Sequence, residues 1–327
     1  MTSRRDADKV RGMADFPFFD HDAVVAALDY PGCIAAVREA MQRFSSDGVD
    51  QPLRQIVETA PGKLFALMPG GLGAPAAFGA KVITAFSDPA RAGRSAHRGV
   101  VILFDPDSGA VAAIGDAAAI TDIRTACASA VATDALARAD ATTLGLFGCG
   151  ALAASHLRAL ALVRPLSEVL VWGRDAARVE AFVAREAAAT GLPLRAVADP
   201  RAAAACDIVT TVTGATSPIL LGEWVRAGAH VNIVGSSHAG PVEVDTALVV
   251  RSRYIADSRR SALAAAAEFL VAKADGAVGD DHIAGEIGEV LAGMVPGRES
   301  AEQVTLYKSL GHVVQDLAAL RYLVARG

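Results

Sequence analysis

Thr143-Leu144-Gly145-Leu146-Phe147-Gly148-Cys149-Gly150-Ala151-Leu152-Ala153 runs from a short apolar segment through a glycine turn into a stretch rich in alanine and leucine. Gly148, Gly150 and Ala153 fit the form G-x-G-x-x-A, in which each small residue has its own mechanical job. The first permits a tight turn, the second lets backbone approach a pyrophosphate, and the third lets a helix pack close to a strand. A helix over roughly residues 151–163 then points its free N–H groups and the positive end of its dipole at the phosphates. Such a turn also occurs where nothing binds, so its context decides. Here an apolar strand precedes it, a helical pattern follows, and Val169-Leu170-Val171-Trp172 comes at the spacing of a βαβ unit. The stretch reads as the opening of a dinucleotide-binding fold.

Toward the C-terminus, strands expected at Leu194–Val197, Ile208–Thr213, His230–Val234 and Tyr254–Asp257 alternate with helices. That alternation specifies an α/β fold, a doubly wound parallel sheet of the Rossmann kind. Ligands sit outside the carboxyl ends of such strands, which brings Gly173-Arg174, Thr213-Gly214 and Gly235-Ser236-Ser237 to the mouth. Toward the N-terminus the period changes. Strands are expected over Val49–Thr59, Lys63–Met68, Ala77–Phe86 and Val100–Phe104, separated by Pro61-Gly62, Pro69-Gly70-Gly71 and Asp105-Pro106-Asp107-Ser108-Gly109. With no helices between them they imply an antiparallel sheet, hence an α+β domain. Ahead of it lie a short strand at Phe16–Phe19 and a helix capped by Asp20, whose apolar residues recur around Pro31-Gly32. A small-residue helix over Thr121–Arg138 leads into the glycine-turn strand, and a final helix to Val324 carries an apolar stripe that should return to the first domain. The chain thus divides into a disordered extension (1–12), an α+β domain (13–125 with 303–327) and the Rossmann domain (126–302).

A chain of 327 residues can bury a sizeable core without staples. Although 52% of its residues are hydrophobic, no run approaches the ~18 apolar residues of a membrane helix. The basic start, Met1-Thr2-Ser3-Arg4-Arg5, has no apolar segment behind it, so it lacks the layout of a secretory signal. A net charge of −5 without a long basic run argues against nucleic acid or an anionic membrane as partner and favours a small metabolite. Cys33, Cys127, Cys149 and Cys206 show no metal or disulfide spacing, so no metal is expected and a reducing cytoplasm is the default.

Several segments in order resemble the ornithine cyclodeaminase/mu-crystallin family: Gly79-Ala80-Lys81-Val82, Ile120-Thr121-Asp122-Ile123-Arg124-Thr125-Ala126, the glycine turn, Val231-Asn232-Ile233-Val234-Gly235-Ser236-Ser237, Asp257-Ser258 and Thr305-Leu306-Tyr307-Lys308-Ser309-Leu310-Gly311. The resemblance implies a homodimer in which an α+β dimerisation/substrate domain stands beside the Rossmann domain. It assigns Arg54 to the substrate carboxylate and Lys81 to the reacting end, with Arg124 between substrate and cofactor. Thr125 would lie near the phosphates, with Gly148, Gly150, Ala151, Leu152 and Gly235 also binding cofactor, while Ser237, Thr213 and Ser309 line the nicotinamide pocket. His97 resembles a histidine of reductase-type members that contacts substrate or nicotinamide. The chemistry agrees, because a guanidinium grips a planar carboxylate with two hydrogen bonds and a lysine in the apolar run Phe78–Ile83 is costly to bury without a purpose.

Ser237 is the informative departure. In the cyclodeaminase branch this position resembles an aspartate that handles the substrate's second amine, whereas serine resembles the ketimine-reductase branch, which reduces a C=N bond. His238 stands beside it, either as a substitute base or as an exposed loop residue. At the end of the second strand, Gly173-Arg174 replaces the usual acidic residue, favouring NADP(H), while Asp175 keeps NAD(H) open. The expected reaction is NAD(P)H-dependent reduction of a small cyclic or linear α-imino acid, such as pyrroline-2-carboxylate or piperideine-2-carboxylate, with Lys81 as proton donor. The alternatives are ornithine cyclodeaminase or amino acid dehydrogenase activity, and a non-enzymatic ligand binder.

Overall fold

β-Branched and aromatic residues punctuated by Pro, Gly and Asp turns form a six-stranded sheet in the first part of the chain. The computed structural model describes residues 16–47, 51–73, 77–86 and 97–326; the expected extension (1–12) and the start of the strand expected from Val49 lie outside these. Strands β1 (Phe18–Phe19), β2 (Gln55–Ala60), β3 (Lys63–Gly71), β4 (Phe78–Phe86), β5 (His97–Phe104) and β6 (Val111–Asp116) lie in the order β1-β6-β5-β4-β3-β2. All neighbours are antiparallel except β1 with β6. Strand β6 was not among the strands expected, because Ala112, Ala113 and Gly115 carry no β signal of their own. The helical pattern around Pro31-Gly32 resolves into α1 (His21–Ala27), capped by Asp20, and α2 (Tyr30–Ser46), capped by Asp29, which accepts from the Gly32 N–H at 2.8 Å. Pro31 sits in the first turn of α2, where its missing N–H has no helical partner to lose.

Helix α3 (Ala117–Leu136) follows, capped by Asp116 and buried along nearly its whole length. Ile120, Ile123, Cys127 and Val131 join the core under the first sheet, while Ala126 and Ala130 face the core under the glycine turn. The boundary expected at Ala126 therefore has no linker. A single helix runs through it and serves as wall to both lobes.

The second lobe contains β7 (Thr143–Phe147), α4 (Ala151–Ala161), β8 (Glu168–Trp172), α5 (Ala176–Thr190), β9 (Leu194–Ala196), α6 (Pro200–Ala204), β10 (Ile208–Thr211), β11 (His230–Ile233), α7 (Thr246–Arg251), β12 (Ser252–Ala256), α8 (Arg259–Ala265), α9 (Ala267–Ala274), β13 (Ile283–Glu286), α10 (Ile287–Leu291) and β14 (Val304–Lys308). Its eight strands are all parallel in the order β13-β12-β14-β11-β10-β7-β8-β9. The strand order reverses between β7 and β10, which opens a crevice beside the glycine turn. Within residues 303–327, expected to belong with the first lobe, the strand and the helix part company. Val304–Lys308 is buried on both faces between β11 and β12, and only α11 (Val313–Val324) returns to the first lobe. There Val314, Leu317 and Leu320 pack against α2, α3 and the six-stranded sheet. No helix among the described residues is long and apolar enough to cross a membrane.

Candidate active site

The glycine turn is built as its spacing requires. Gly148 adopts φ 120°, and a Cβ there would stand 2.9 Å from the Val212 carbonyl oxygen, so only glycine is accommodated. Gly150 differs: a Cβ there would meet no protein atom within 4 Å. Nothing in the fold demands glycine at that point, and the open space lies where a ligand would approach. Gly150 is also the N-cap of α4 and supplies no side-chain cap, so the first N–H groups of that helix face the cleft without a partner from its cap. Thr125 Oγ1 and Ser309 Oγ are buried and unpartnered in the same cleft. Free helix N–H groups, open space at Gly150 and two unsatisfied hydroxyls fit a dinucleotide. At the tip of β8, Arg174 is exposed, while Asp175 is engaged as the N-cap of α5, accepting from the Arg178 N–H at 3.1 Å.

The cationic wall comes from three elements of the first lobe. Arg54 precedes β2, Lys81 lies in the middle of β4 and Arg124 lies about two turns into α3; all three line one cleft of about 320 Å³ with Gly150, Ala151, Leu152, Gly235 and Ser237. Lys81, 2% exposed, is held by Asp316 of α11 at 3.0 Å and by the Thr121 hydroxyl. The same Asp316 oxygen accepts from Arg124 Nε at 2.9 Å, and Arg124 Nη1 donates to Gln315 at 2.6 Å. Burial drives the Lys81 ammonium down to about 8, and the attraction of Asp316 stops it falling further. Burial pushes Asp316 the other way, yet Arg124 and Lys81 hold its carboxyl below the usual range. Arg54 Nη2 donates to the Leu310 carbonyl at 2.8 Å and Nη1 reaches the Ser237 carbonyl at 3.4 Å, leaving Nε buried and unpartnered.

The floor beneath the strand ends is a buried polar scaffold. Glu243 accepts from the Thr213 N–H (2.7 Å) and hydroxyl (2.8 Å), the Thr211 hydroxyl (2.9 Å) and the Gly235 N–H (2.7 Å), which locks the ends of β10 and β11 together. Lys308 pairs with Glu268 at 2.9 Å, both fully buried, and donates to the carbonyl and hydroxyl of Ser236. Asp257 accepts from the Leu310 and Gly311 N–H groups, both at 2.7 Å, and burial lifts its carboxyl to about 6. These contacts fix the loops that carry Ser237 and Ser309.

Thr213 departs from expectation. Its hydroxyl is spent on Glu243, and Val212 lines the cleft in its place. Gly148 shapes the turn from behind, and Arg174 stands outside the cleft proper. His97 begins β5, and its side chain lies outside the described residues. His238 is exposed on the loop after Ser237. The residues missing from the sequence reading of the site are Thr121, Asp122 and Asp316. Asp122 lines the cleft beside Lys81, its carboxyl raised to about 6 by burial. Among the described residues no group of His, Cys, Asp and Glu is arranged to hold a metal ion.

A model of the ornithine cyclodeaminase/mu-crystallin family matches residues 20–326. The chain belongs to this family. Mouse ketimine reductase mu-crystallin is 34% identical over 293 residues, covering 88% of this chain and 90% of that protein. Among solved structures of the family's fold, the Thermococcus litoralis Δ1-pyrroline-2-carboxylate reductase in complex with NADH and L-proline superposes with a TM-score of 0.90 at 27% identity, covering 95% of this chain and 97% of that one. An archaeal alanine dehydrogenase dimer with bound NAD gives 0.88 at 26% identity, covering 95% of each. Both of those solved structures hold a nicotinamide nucleotide.

Proposed function

We propose that this protein uses NAD(P)H to reduce a small cyclic or linear α-imino acid, such as pyrroline-2-carboxylate or piperideine-2-carboxylate, to the amino acid. One observation carries the reading: Arg54, Lys81 and Arg124 converge on a cleft whose opposite wall is the Gly150 end of α4. When bound, the reduced nicotinamide supplies a hydride. The protein's part is to grip the carboxylate, orient the C=N carbon and protonate the nitrogen, because an iminium accepts hydride far more readily than a neutral imine. Arg54, with its unpartnered Nε, is assigned to the carboxylate. Lys81, poised near pH 8 by burial against the attraction of Asp316, is assigned the proton: it passes one to the imine nitrogen to give the iminium that accepts hydride, so C=N becomes CH–NH overall and the lysine is left neutral. Arg124 is assigned to the boundary between substrate and nucleotide, and Ser237 and Ser309 to hydrogen bonds at the nicotinamide end.

NADP(H) is the favoured nucleotide, supported by exposed Arg174 at the tip of β8 and by the engagement of Asp175 as a helix cap. A serine at position 237, on the loop after β11, offers no carboxylate at that position for a second substrate amine, which speaks against cyclodeaminase chemistry. A homodimer is supported by the outer face of the six-stranded sheet, where Phe18, Val57, Phe65 and Phe78 are between 37% and 61% exposed. The test is the initial rate of NADPH and NADH oxidation with cyclic imino acids. Turnover with stoichiometric oxidation is expected, whereas ammonia release from ornithine at catalytic NAD would reverse the assignment.

A further inference from the structure

We infer that the cleft continues past Arg54 into a second compartment that receives the substrate's side chain, and that the side chain it accepts is apolar and uncharged. This rests on the imine-reduction reading and adds the class of substrate to it. The compartment, about 190 Å³, shares Arg54, Met68, Ser237, Leu310 and Gly311 with the cleft, so the two are continuous around the guanidinium. Hydrogen bonds from Arg54 to the Leu310 and Ser237 carbonyls fix that guanidinium as the partition. A substrate whose carboxylate meets Arg54 therefore has its remaining atoms at the neck.

Beyond the neck the walls are Leu53, Ile56, Ala264, Ala265 and Val313. The titratable groups facing the space are Arg54 itself, His238 at the exposed rim and His312. His312 is neutral at working pH: burial drives it down to about 4, its Nδ1 accepts from the Val314 N–H, and its ring packs on Phe44 at 4.3 Å. Among the described residues no carboxylate lines the compartment, so a second ammonium on the substrate would be desolvated there without a counter-charge. A second carboxylate would compete with the first for Arg54. An alkyl or aryl group meets neither obstacle and gains by leaving water.

The experiment measures kcat/KM for imines formed in solution from ammonium and a series of 2-oxo acids: pyruvate, 2-oxobutanoate, 2-oxopentanoate, 2-oxohexanoate and oxaloacetate. A rise of about threefold per added methylene is expected, with the oxaloacetate imine at least about tenfold below the apolar imine of similar length. Ala264→Leu, which fills the compartment, should lower the ratio of the longest to the shortest apolar substrate about tenfold. Ile56→Arg should raise the oxaloacetate imine relative to the apolar series. A flat length profile, an oxaloacetate imine as good as the longest apolar one, or an Ala264→Leu ratio equal to that of the wild type overturns the inference while leaving imine reduction standing. Absence of turnover with all of these imines and with pyrroline-2-carboxylate, although the nucleotide binds, overturns the reduction reading and the inference with it.

Discussion

Lys81 is balanced between two opposed effects, desolvation favouring the neutral amine and Asp316 favouring the ammonium, and the balance leaves it near 8. Only the protonated form can donate, so kcat/KM for imine reduction is expected to be high below that value and to fall as pH rises through it. Lys81→Met should lower kcat/KM by about 10²–10⁴ and abolish that alkaline limb. Asp316→Asn removes the attraction that holds the ammonium up, so the limb should move to lower pH, which a rate profile between pH 6 and 9 would reveal. An unchanged limb in Asp316→Asn would detach it from Lys81. Lys81 was legible in the sequence because a charge inside Phe78–Ile83 has no cheap structural explanation. Asp316 was not, since its partners lie 235 and 192 positions away and it sits beside Gln315 on what looks like the solvent side of an apolar stripe. In the structure α11 is buried on every side from Val313 to Leu320, so the stripe was only part of its buried surface.

Among the elements, the strand–turn–helix around Gly148 separates two kinds of glycine. Gly150→Ala meets no protein atom, so thermal stability should hold while dinucleotide affinity falls; Gly148→Ala forces a strained φ and a clash with Val212, and should lose both. Fluorescence titration with NADPH beside a thermal melt distinguishes them. Equal loss of stability in both variants would mean that the space at Gly150 is not reserved for ligand. Strand β11 offers a second test. His230 is fully buried between Thr305 (3.0 Å) and Asn232 (3.2 Å), and burial drives it down to about 3, against an ordinary value of 6.5. Between those values the unfolded chain binds a proton that the native state refuses, so stability falls as pH drops below 6.5. Relative to a His230→Gln variant, the wild type should lose about 1.4 kcal/mol per pH unit in that window, read from urea midpoints at pH 7 and 5. The βα alternation from Thr143 onward was legible because fully buried parallel strands read as short apolar runs. Strand β14 was visible as a segment, but nothing local told that it inserts between β11 and β12, since sheet order is set by packing far along the chain. Strand β13, with Gly285 and Glu286 in four residues, gave no period at all.

At the scale of the molecule, the six-stranded sheet has two faces of different character. Met68, Lys81, Val101 and Leu103 point inward toward α3 and α11 and are buried, whereas Phe78 stacks on Phe104 at 5.3 Å on the outer face and is 44% exposed. An apolar sheet face left open in this way is suited to a second copy of the chain. Phe78→Lys is expected to convert the proposed homodimer to monomers in analytical ultracentrifugation, and a wild type that sediments as a monomer would refute that assembly. The last helix carries a different implication. Asp316, the counter-ion shared by Lys81 and Arg124, leaves the ribosome long after the two cations it neutralises. Until α11 docks, Lys81 and Arg124 lack their shared counter-ion, so the charge arrangement of the site cannot assemble ahead of that helix. A chain cut before this helix would lack the carboxylate on which Lys81 and Arg124 converge, leaving its reactive half unorganised.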